Sequence, residues 1–374
     1  MIVFMEDLRG VPDSERKKGE SLEIKIKGDS LASLAHPDKN EDAFFVNEKK
    51  RMMGVFDGMG GHGGGDLAAL AARDDFFRRF SSMSEELSVN EIARKVKVGL
   101  LFAHEAVIER GRQVGNREMG TTASVVYFYD APNGEKKAVI GNVGDSRVYR
   151  FRNGNFEQIT LDDAGFFVGM SESKARSLQE KFGEVTDASQ LTLGEQEIYK
   201  RRNVIGQSLG RDGVDPKIYI VDLWEGDKIL VCSDGVSDVL TKSEMVKILK
   251  GNETNVAATR LVVEARSKGI EAGNFRKKRD DMTALVTEVG SRRLVSMGEG
   301  KPKLEDRGVV GGEIENGSVV RVKRSDGGID DNWVVLGIDS DKGMAKVGKN
   351  GDDGRYMTKE VRMESLKGWN EKIL

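Results

Sequence analysis

Hydrophobic and polar positions alternate in short runs along most of the chain. After a charged, unpatterned start over residues 9–21, Leu22-Glu23-Ile24-Lys25-Ile26 alternates with period two and predicts a strand. Ala43–Val46 and Met52–Phe56 are apolar runs joined by Glu48-Lys49-Lys50-Arg51, a hairpin that runs into Asp57 and a glycine loop. The period then lengthens. Asp66 predicts the cap of a helix reaching about Phe80, and Ser88 that of a second helix carrying Ile92, Val96, Leu100, His104 and Ile108 at fourfold spacing. Strands return at Ala123–Phe128, Lys137–Ile140, Ser146–Phe151 and Phe156–Thr160, with Pro132-Asn133-Gly134 and Arg152-Asn153-Gly154 as hairpin turns. Residues 161–202 are charged and irregular, with helical patterning in Ser171–Phe182 and Leu193–Arg201. A short strand at Ile218–Val221 precedes the apolar strand Lys228–Cys232, which ends at Ser233-Asp234-Gly235. Helices over Ser243–Lys250 and Asn255–Gly269 and a last strand over Thr283–Glu288 complete the pattern. Hairpin strands with helices grouped in pairs break a βαβ alternation, so the expected class is α+β, layered on antiparallel sheets.

The pattern changes at Gly290. Residues 291–317 are rich in glycine and charge and read as a linker, and 318–374 carry short strands separated by Asp/Gly turns, as in a small SH3-like barrel. The expected domains are therefore 1–290, with an irregular insertion at about 161–202, and 318–374, within what 374 residues allow.

Charge adds exclusions. Lys and Arg number 59 against 62 Asp and Glu, a net of −3. Residues 301–374 hold fourteen of each sign. No basic excess exists of the kind that neutralises phosphates, so no nucleic-acid partner is expected, and the C-terminal module suits a protein partner better. One cysteine, Cys232, rules out a disulfide framework within the chain, and with three histidines any metal would be held mostly by oxygen. Hard ions, Mg²⁺, Mn²⁺ or Ca²⁺, fit such donors. No apolar run approaches about 18 residues and no leader pattern opens the chain, so no membrane, a cytoplasmic location and a monomer are expected.

Carboxylates gather at predicted strand ends: Asn40-Glu41-Asp42, Asp57-Gly58, Ser233-Asp234-Gly235 and Arg279-Asp280-Asp281. Turns favour Asp and Gly, which accounts for any one of these alone. Converging on one rim, however, such acids repel one another and call for cations. The 45 glycines also cluster, most densely after Asp57, where Gly58-Met59-Gly60-Gly61-His62-Gly63-Gly64 leads into a helix and lets backbone approach an ion closely.

Asn40-Glu41-Asp42, Asp57-Gly58-Met59-Gly60-Gly61-His62, Gly120-Thr121-Thr122, Gly144-Asp145-Ser146-Arg147, Asp234-Gly235 and Arg279-Asp280-Asp281-Met282-Thr283, in that order, resemble the motifs of the metal-dependent protein serine/threonine phosphatases, the PPM family, in its bacterial form. The resemblance spans roughly residues 20–290. It implies two antiparallel sheets packed face to face and flanked by helix pairs, with two Mn²⁺ or Mg²⁺ ions, and a third position, at one edge. By match, Asp57 bridges the ions, the Gly58 carbonyl binds one, Asp234 and Asp280 complete the other, and Glu41 acts through water. Asp145 with Asp234 matches the third position. Asp42, Asp281 and Thr121 lie behind these ligands. The implied reaction is hydrolysis of phosphoserine or phosphothreonine on proteins by a metal-activated water, opposing a kinase and needing no covalent phosphoenzyme.

Two positions depart from the family. Pro37 stands where an arginine commonly grips the substrate phosphate, leaving His36 or Lys39 as candidates for that role. Met59 follows the Asp-Gly pair where some relatives carry a histidine, so His62 is the candidate general acid or else a residue that orders the glycine turn. His104 reads as a packing residue and Cys232 as an inert buried thiol. The rival to the enzyme is a binder of phosphoproteins without turnover, which Pro37 favours and the complete acid set opposes.

Overall fold

The computed structural model describes residues 2–5, 21–60, 64–81, 87–131, 134–167, 169–292, 319–323, 329–339, 344–350 and 356–362. It divides into two compact units, Met1–Arg293 and Leu294–Leu374.

In the first unit, strands β1 (Ile2–Met5), β2 (Ser21–Leu31), β3 (Asp42–Asn47) and β4 (Met52–Met59) lead into helices α1 (Gly65–Ser81) and α2 (Val89–Val114). Strands β5 (Gly120–Thr121), β6 (Ala123–Asp130), β7 (Lys136–Val143), β8 (Arg147–Arg152) and β9 (Asn155–Gln158) follow. Then come α3 (Glu172–Phe182), α4 (Leu193–Lys200), β10 (Lys217–Asp222), β11 (Lys228–Cys232), α5 (Asp234–Ser237), α6 (Lys242–Gly251), α7 (Thr254–Ile270) and β12 (Met282–Arg292). One sheet has the order β1-β10-β7-β6-β4-β3, with β5 paired to β4; the other runs β2-β12-β11-β8-β9. Every pairing in them is antiparallel except β1 with β10. That N-terminal strand escapes sequence reading because Ile2–Met5 is four residues of unbroken apolar character, too short for a period. β12 runs past Glu288 to Arg292 because β2 continues to offer it a partner, with Ser291 opposite Leu22.

Side-chain parity explains the layers. On β4, Met53 and Val55 enter a core shared with Ile24 and Ile26 of β2, Ile229 and Val231 of β11 and Leu285 of β12, which is the space between the sheets. Met52 and Phe56 turn the other way, into a core with Phe76 and Phe80 of α1 and Ile92, Val96 and Leu100 of α2. Each fully buried side chain of this size contributes about 1.5–3 kcal/mol. On the far side, α7 lies against β2 and β12. The layers are therefore helix, sheet, sheet, helix.

Helix ends follow local chemistry. Ser88 and Glu91 form a capping box at the start of α2, and Gly115 ends it at φ +71°. Its buried stripe runs through Ile92, Val96, Leu100, Ala103 and Val107, because 3.6 residues per turn outrun a fourfold spacing and carry His104 and Ile108 to the edge of the stripe. His104 accordingly has a polar task, accepting the Gly210 amide at Nδ1, 3.0 Å away. Asp66 lies inside the first turn of α1 and not at its cap. The Asn153-Gly154 turn has the positive φ values, 48° and 86°, of a tight hairpin.

In the second unit, β13 (Val319–Lys323), β14 (Ile329–Asp339), β15 (Met344–Asn350) and β16 (Tyr356–Arg362) pair in sequence as an antiparallel meander. Register shifts fall between Val320 and Val322 and between Val335 and Gly337. The expected linker, apart from Ser291 and Arg292 in β12, and the Asp/Gly turns of this unit lie outside the described residues.

Candidate active site

The parity that sends Met53 and Val55 between the sheets also sends Asp57, two residues on, to the edge of that space. Asp42, directly opposite Asp57 in the β3–β4 register, shares the parity of Phe44 and Val46, which pack on the same core. From the other sheet, Ser233 continues the parity of Ile229 and Val231, and Thr283 that of Leu285. The two sheets meet here through polar atoms: Ser233 Oγ and Thr283 Oγ1 donate to Asp42 Oδ2 at 2.8 and 2.6 Å.

Asp57 is fixed through its main chain. Its amide donates to Thr122 Oγ1 at 3.0 Å, and its carbonyl accepts from Thr121 Oγ1 and the Thr122 amide, both at 2.9 Å. Read from the sequence, Thr121 and Thr122 stand evenly between plain strand residues and supporting ones; both hydroxyls hold Asp57. Gly58 donates to the Glu41 carbonyl at 3.2 Å. A Cβ on Gly58 would overlap the carbonyl oxygens of Gly65 and Glu41, so only glycine allows this approach.

Asp281 brackets the other side, its two oxygens accepting the Ser33 amide at 2.7 Å and the Glu41 amide at 2.6 Å. A Cβ on Gly235 would likewise overlap the Asp281 carbonyl oxygen, which accounts for the Asp234-Gly235 pair at the start of α5. Asp145 follows Gly144, whose φ is +93° and whose amide is held by Asp163 Oδ2 at 2.9 Å.

The acids act on one another. Burial, then the charges of Asp42, Asp234, Asp280 and Asp145, push the Asp57 carboxyl well above its ordinary range. Burial first, and neighbouring carboxylates after it, also raise Asp42 and Asp145 well above that range. Burial also pushes Asp234 and Asp281 up to about 6. Asp238 is the exception: despite burial, Arg147, Lys278, Arg202 and Arg276 hold it below the usual range.

Cations line the same rim. Lys39 stands 2.6 Å from Glu41 Oε1 and 3.0 Å from Asp66 Oδ1. His36 is 3.6 Å from Asp281 Oδ1 and 44% exposed; although burial works against its charge, the Lys39 carbonyl and then Asp281 raise it above its ordinary value. Lys278, to which sequence reading gave no role, contacts Asp234 and lies 3.0 Å from Asp280 Oδ2. It hides in the run Arg276-Lys277-Lys278-Arg279, where nothing in the sequence says which side chain turns inward. His62 lies outside the described residues. Cys232 is buried and its thiol is pushed up to about 12 by that burial, as an inert residue.

The donor set suits a hard divalent ion. It offers only oxygen, and two buried oxygens, Asp234 Oδ1 and Asp145 Oδ1, have no hydrogen-bond partner. Among the described residues, no three His, Cys, Asp or Glu side chains close tightly enough to ligate an ion unaided, so an ion would take water for much of its shell.

Comparisons with known proteins agree with this geometry. The sequence pattern of the family described as protein phosphatase 2C matches residues 34–265. The chain is 29% identical over 207 residues to the protein phosphatase PhpP of Streptococcus pneumoniae, covering 55% of this chain and 75% of that protein. It is 27% identical over 265 residues to the serine/threonine phosphatase stp of Listeria innocua, covering 70% and 93%. The crystal structure of the Mycobacterium tuberculosis serine/threonine phosphatase PstP/Ppp superposes with a TM-score of 0.56 at 22% identity, over 71% of this chain and 99% of that one. The catalytic domain of PstP in complex with 2 manganese ions gives 0.53 at 22% identity, over 72% and 99%. At that identity the two structures speak for the fold, whereas the match over residues 34–265 speaks for descent. The chain belongs to the protein phosphatase 2C family.

Proposed function

We propose that the protein hydrolyses phosphoserine and phosphothreonine on phosphoproteins in a metal-dependent reaction that opposes a protein kinase. The observation that carries this reading is the convergence of Asp57, Asp42, Asp145, Asp234 and Asp280 from both sheets on one rim, where burial and then neighbouring carboxylates hold Asp42, Asp57 and Asp145 well above the ordinary carboxyl range. Asp57, the Gly58 carbonyl, Asp234 and Asp280 would hold two ions, with Glu41 reached through water and Asp145 beside Asp234. Mn²⁺ or Mg²⁺ bound there supplies an acidified water and offsets the charge of the phosphoryl oxygens.

The chain's own residues orient that chemistry. Thr121 and Thr122 fix the Asp57 main chain, Asp281 fixes that of Glu41, and Asp42 ties the sheet ends so that acids from distant segments keep their spacing. His36 and Lys39 are the candidates to meet the substrate phosphate. Lys39 already serves Glu41 and Asp66, and His36 the Lys39 carbonyl and Asp281, so either would exchange a present partner for the phosphate. His62 keeps its candidacy as general acid by sequence alone.

Residues 161–202 serve as a flap that shapes the substrate's surroundings. An open groove of about 400 Å³ lined by Asp162, Asp163, Phe167, Met170, Glu172 and Lys217, among others, supports that role. Residues 1–290 would form the catalytic domain. Residues 318–374 would form an SH3-like barrel that docks a protein partner, the β13–β16 meander curling at its bulges.

The test is release of inorganic phosphate from a phosphothreonine peptide with Mn²⁺. Turnover should vanish on chelation and fall by more than about 100-fold in Asp57→Asn and Asp234→Asn, beyond what outer-shell changes cost. The binder reading, favoured by Pro37, takes over if the peptide binds but no phosphate appears.

A further inference from the structure

Lys278 sits in an unexpected place for a lysine. Its side chain is 12% exposed, its ammonium contacts Asp234 Oδ2, and Asp280 Oδ2 lies 3.0 Å away. On the same corner, Asp234 Oδ1 and Asp145 Oδ1 are buried without hydrogen-bond partners. Asp234 and Asp145 are only 6% and 3% exposed, so solvent does little for those oxygens.

The position is built from both sides. Two residues earlier, Arg276 is 3% exposed and donates to five main-chain oxygens, those of Phe182, Val185, Ser237, Val239 and Leu240. The Lys278 carbonyl packs on α7 so closely that a Cβ on Gly269 would come within 2.5 Å of it. The main chain that carries Lys278 is thereby clamped to α5, α7 and the end of α3. A surface lysine pairing with an acid contributes little and wanders. This one is held in a corner where an unneutralised carboxylate would be costly.

We infer that the Lys278 ammonium is a resident cation of the rim, paired with Asp234 and Asp280 beside the Asp145–Asp234 corner where the family resemblance places a third ion, so that this chain takes up two divalent ions and not three. The inference rests on the reading of the rim as a metal centre. Its physical basis is charge balance: the second ion would have three carboxylates, those of Asp57, Asp234 and Asp280, whereas a third would have only Asp145 and the already paired Asp234, so the ammonium's repulsion tells against the third.

Mn²⁺ binding to the full chain decides the matter, measured by calorimetry and by electron paramagnetic resonance of free Mn²⁺ for wild type, Lys278→Gln and Lys278→Arg. Two ions are expected in wild type and Lys278→Arg, and a third in Lys278→Gln with affinity raised about tenfold or more over any third site in wild type. In EDTA, Lys278→Gln should melt below wild type, and Mn²⁺ should raise it by more; a lysine with only a packing role would not be rescued by metal. Should the Gln variant fold only with Mn²⁺, the ions that it retains through gel filtration, counted by elemental analysis against protein, give the same readout. Three ions in wild type, or the same count in wild type and Lys278→Gln, overturn the inference and leave the metal centre standing. Failure of wild type to bind any Mn²⁺ overturns both.

Discussion

Asp57 is held from three directions by its own main chain, through Thr121, Thr122 and the strand pairing with Asp42. Its carboxylate is left free for other work. Removing one of those supports should therefore harm the site without unfolding the protein. Thr122→Val deletes the buried oxygen that accepts the Asp57 amide and pairs with Ser146 Oγ, and a loss of Mn²⁺ affinity of roughly 10–100-fold is expected, with a stability loss in EDTA of about 1–3 kcal/mol. Gly235→Ala should do both kinds of damage, because its Cβ has no room beside the Asp281 carbonyl: stability falls by about 1–3 kcal/mol, read from denaturant midpoints, and Mn²⁺ binding weakens with it. A Gly235→Ala protein as stable as wild type would show that the turn at α5 has slack the packing does not suggest.

At the scale of elements, alternation along β3, β4, β11 and β12 delivers their last residues into the gap between the sheets, and the acids follow from that parity. Residues 182–185 and the Asp234 turn are then locked by Arg276, whose five carbonyl acceptors lie at the end of α3, just beyond it, and around α5. Arg276→Met leaves those oxygens buried without a donor, and a loss of about 2–4 kcal/mol is expected, together with faster proteolysis at residues 183–192. The strands, the α2 capping box and the Asn153-Gly154 turn were legible because local pattern decides them. So were the acids, because their motifs survive intact. The inward turn of Lys278, the choice between packing and support at Thr121 and Thr122, and the parallel strand β1 were not. Each depends on what another segment brings alongside, and a basic run, a strand threonine and four apolar residues look alike in a hundred settings.

For the whole molecule, the acid rim links stability to pH and metal. Asp234 and Asp281 are pushed up to about 6, burial being the main cause, and Asp42, Asp57 and Asp145 are raised as well. The folded chain thus keeps protons that an unfolded chain, with carboxyls near about 4, has released. Metal-free stability should fall as pH rises from about 4 through about 6, because unfolding releases protons over that window. His36, raised above its ordinary value, adds stability that is likewise lost as pH rises through its folded value. Asp238, held low, works the other way, and its share is lost only as pH falls below the carboxylate range. With Mn²⁺ the decline should shrink or reverse, since cations take the place of protons on ionised acids. Melting in EDTA that is flat across this window would mean that the acids do not strain the fold. No described helix is long and apolar enough to cross a membrane.

The central claim is that acids drawn from both sheets form one metal rim centred on Asp57. Anomalous diffraction at the manganese edge, from crystals of the full chain grown with Mn²⁺, tests it most directly. Two peaks are predicted, one against the Asp57 carboxylate and the Gly58 carbonyl and a second joining Asp57 to Asp234 and Asp280. Mn²⁺ bound elsewhere, or no peak in contact with Asp57, would contradict the account.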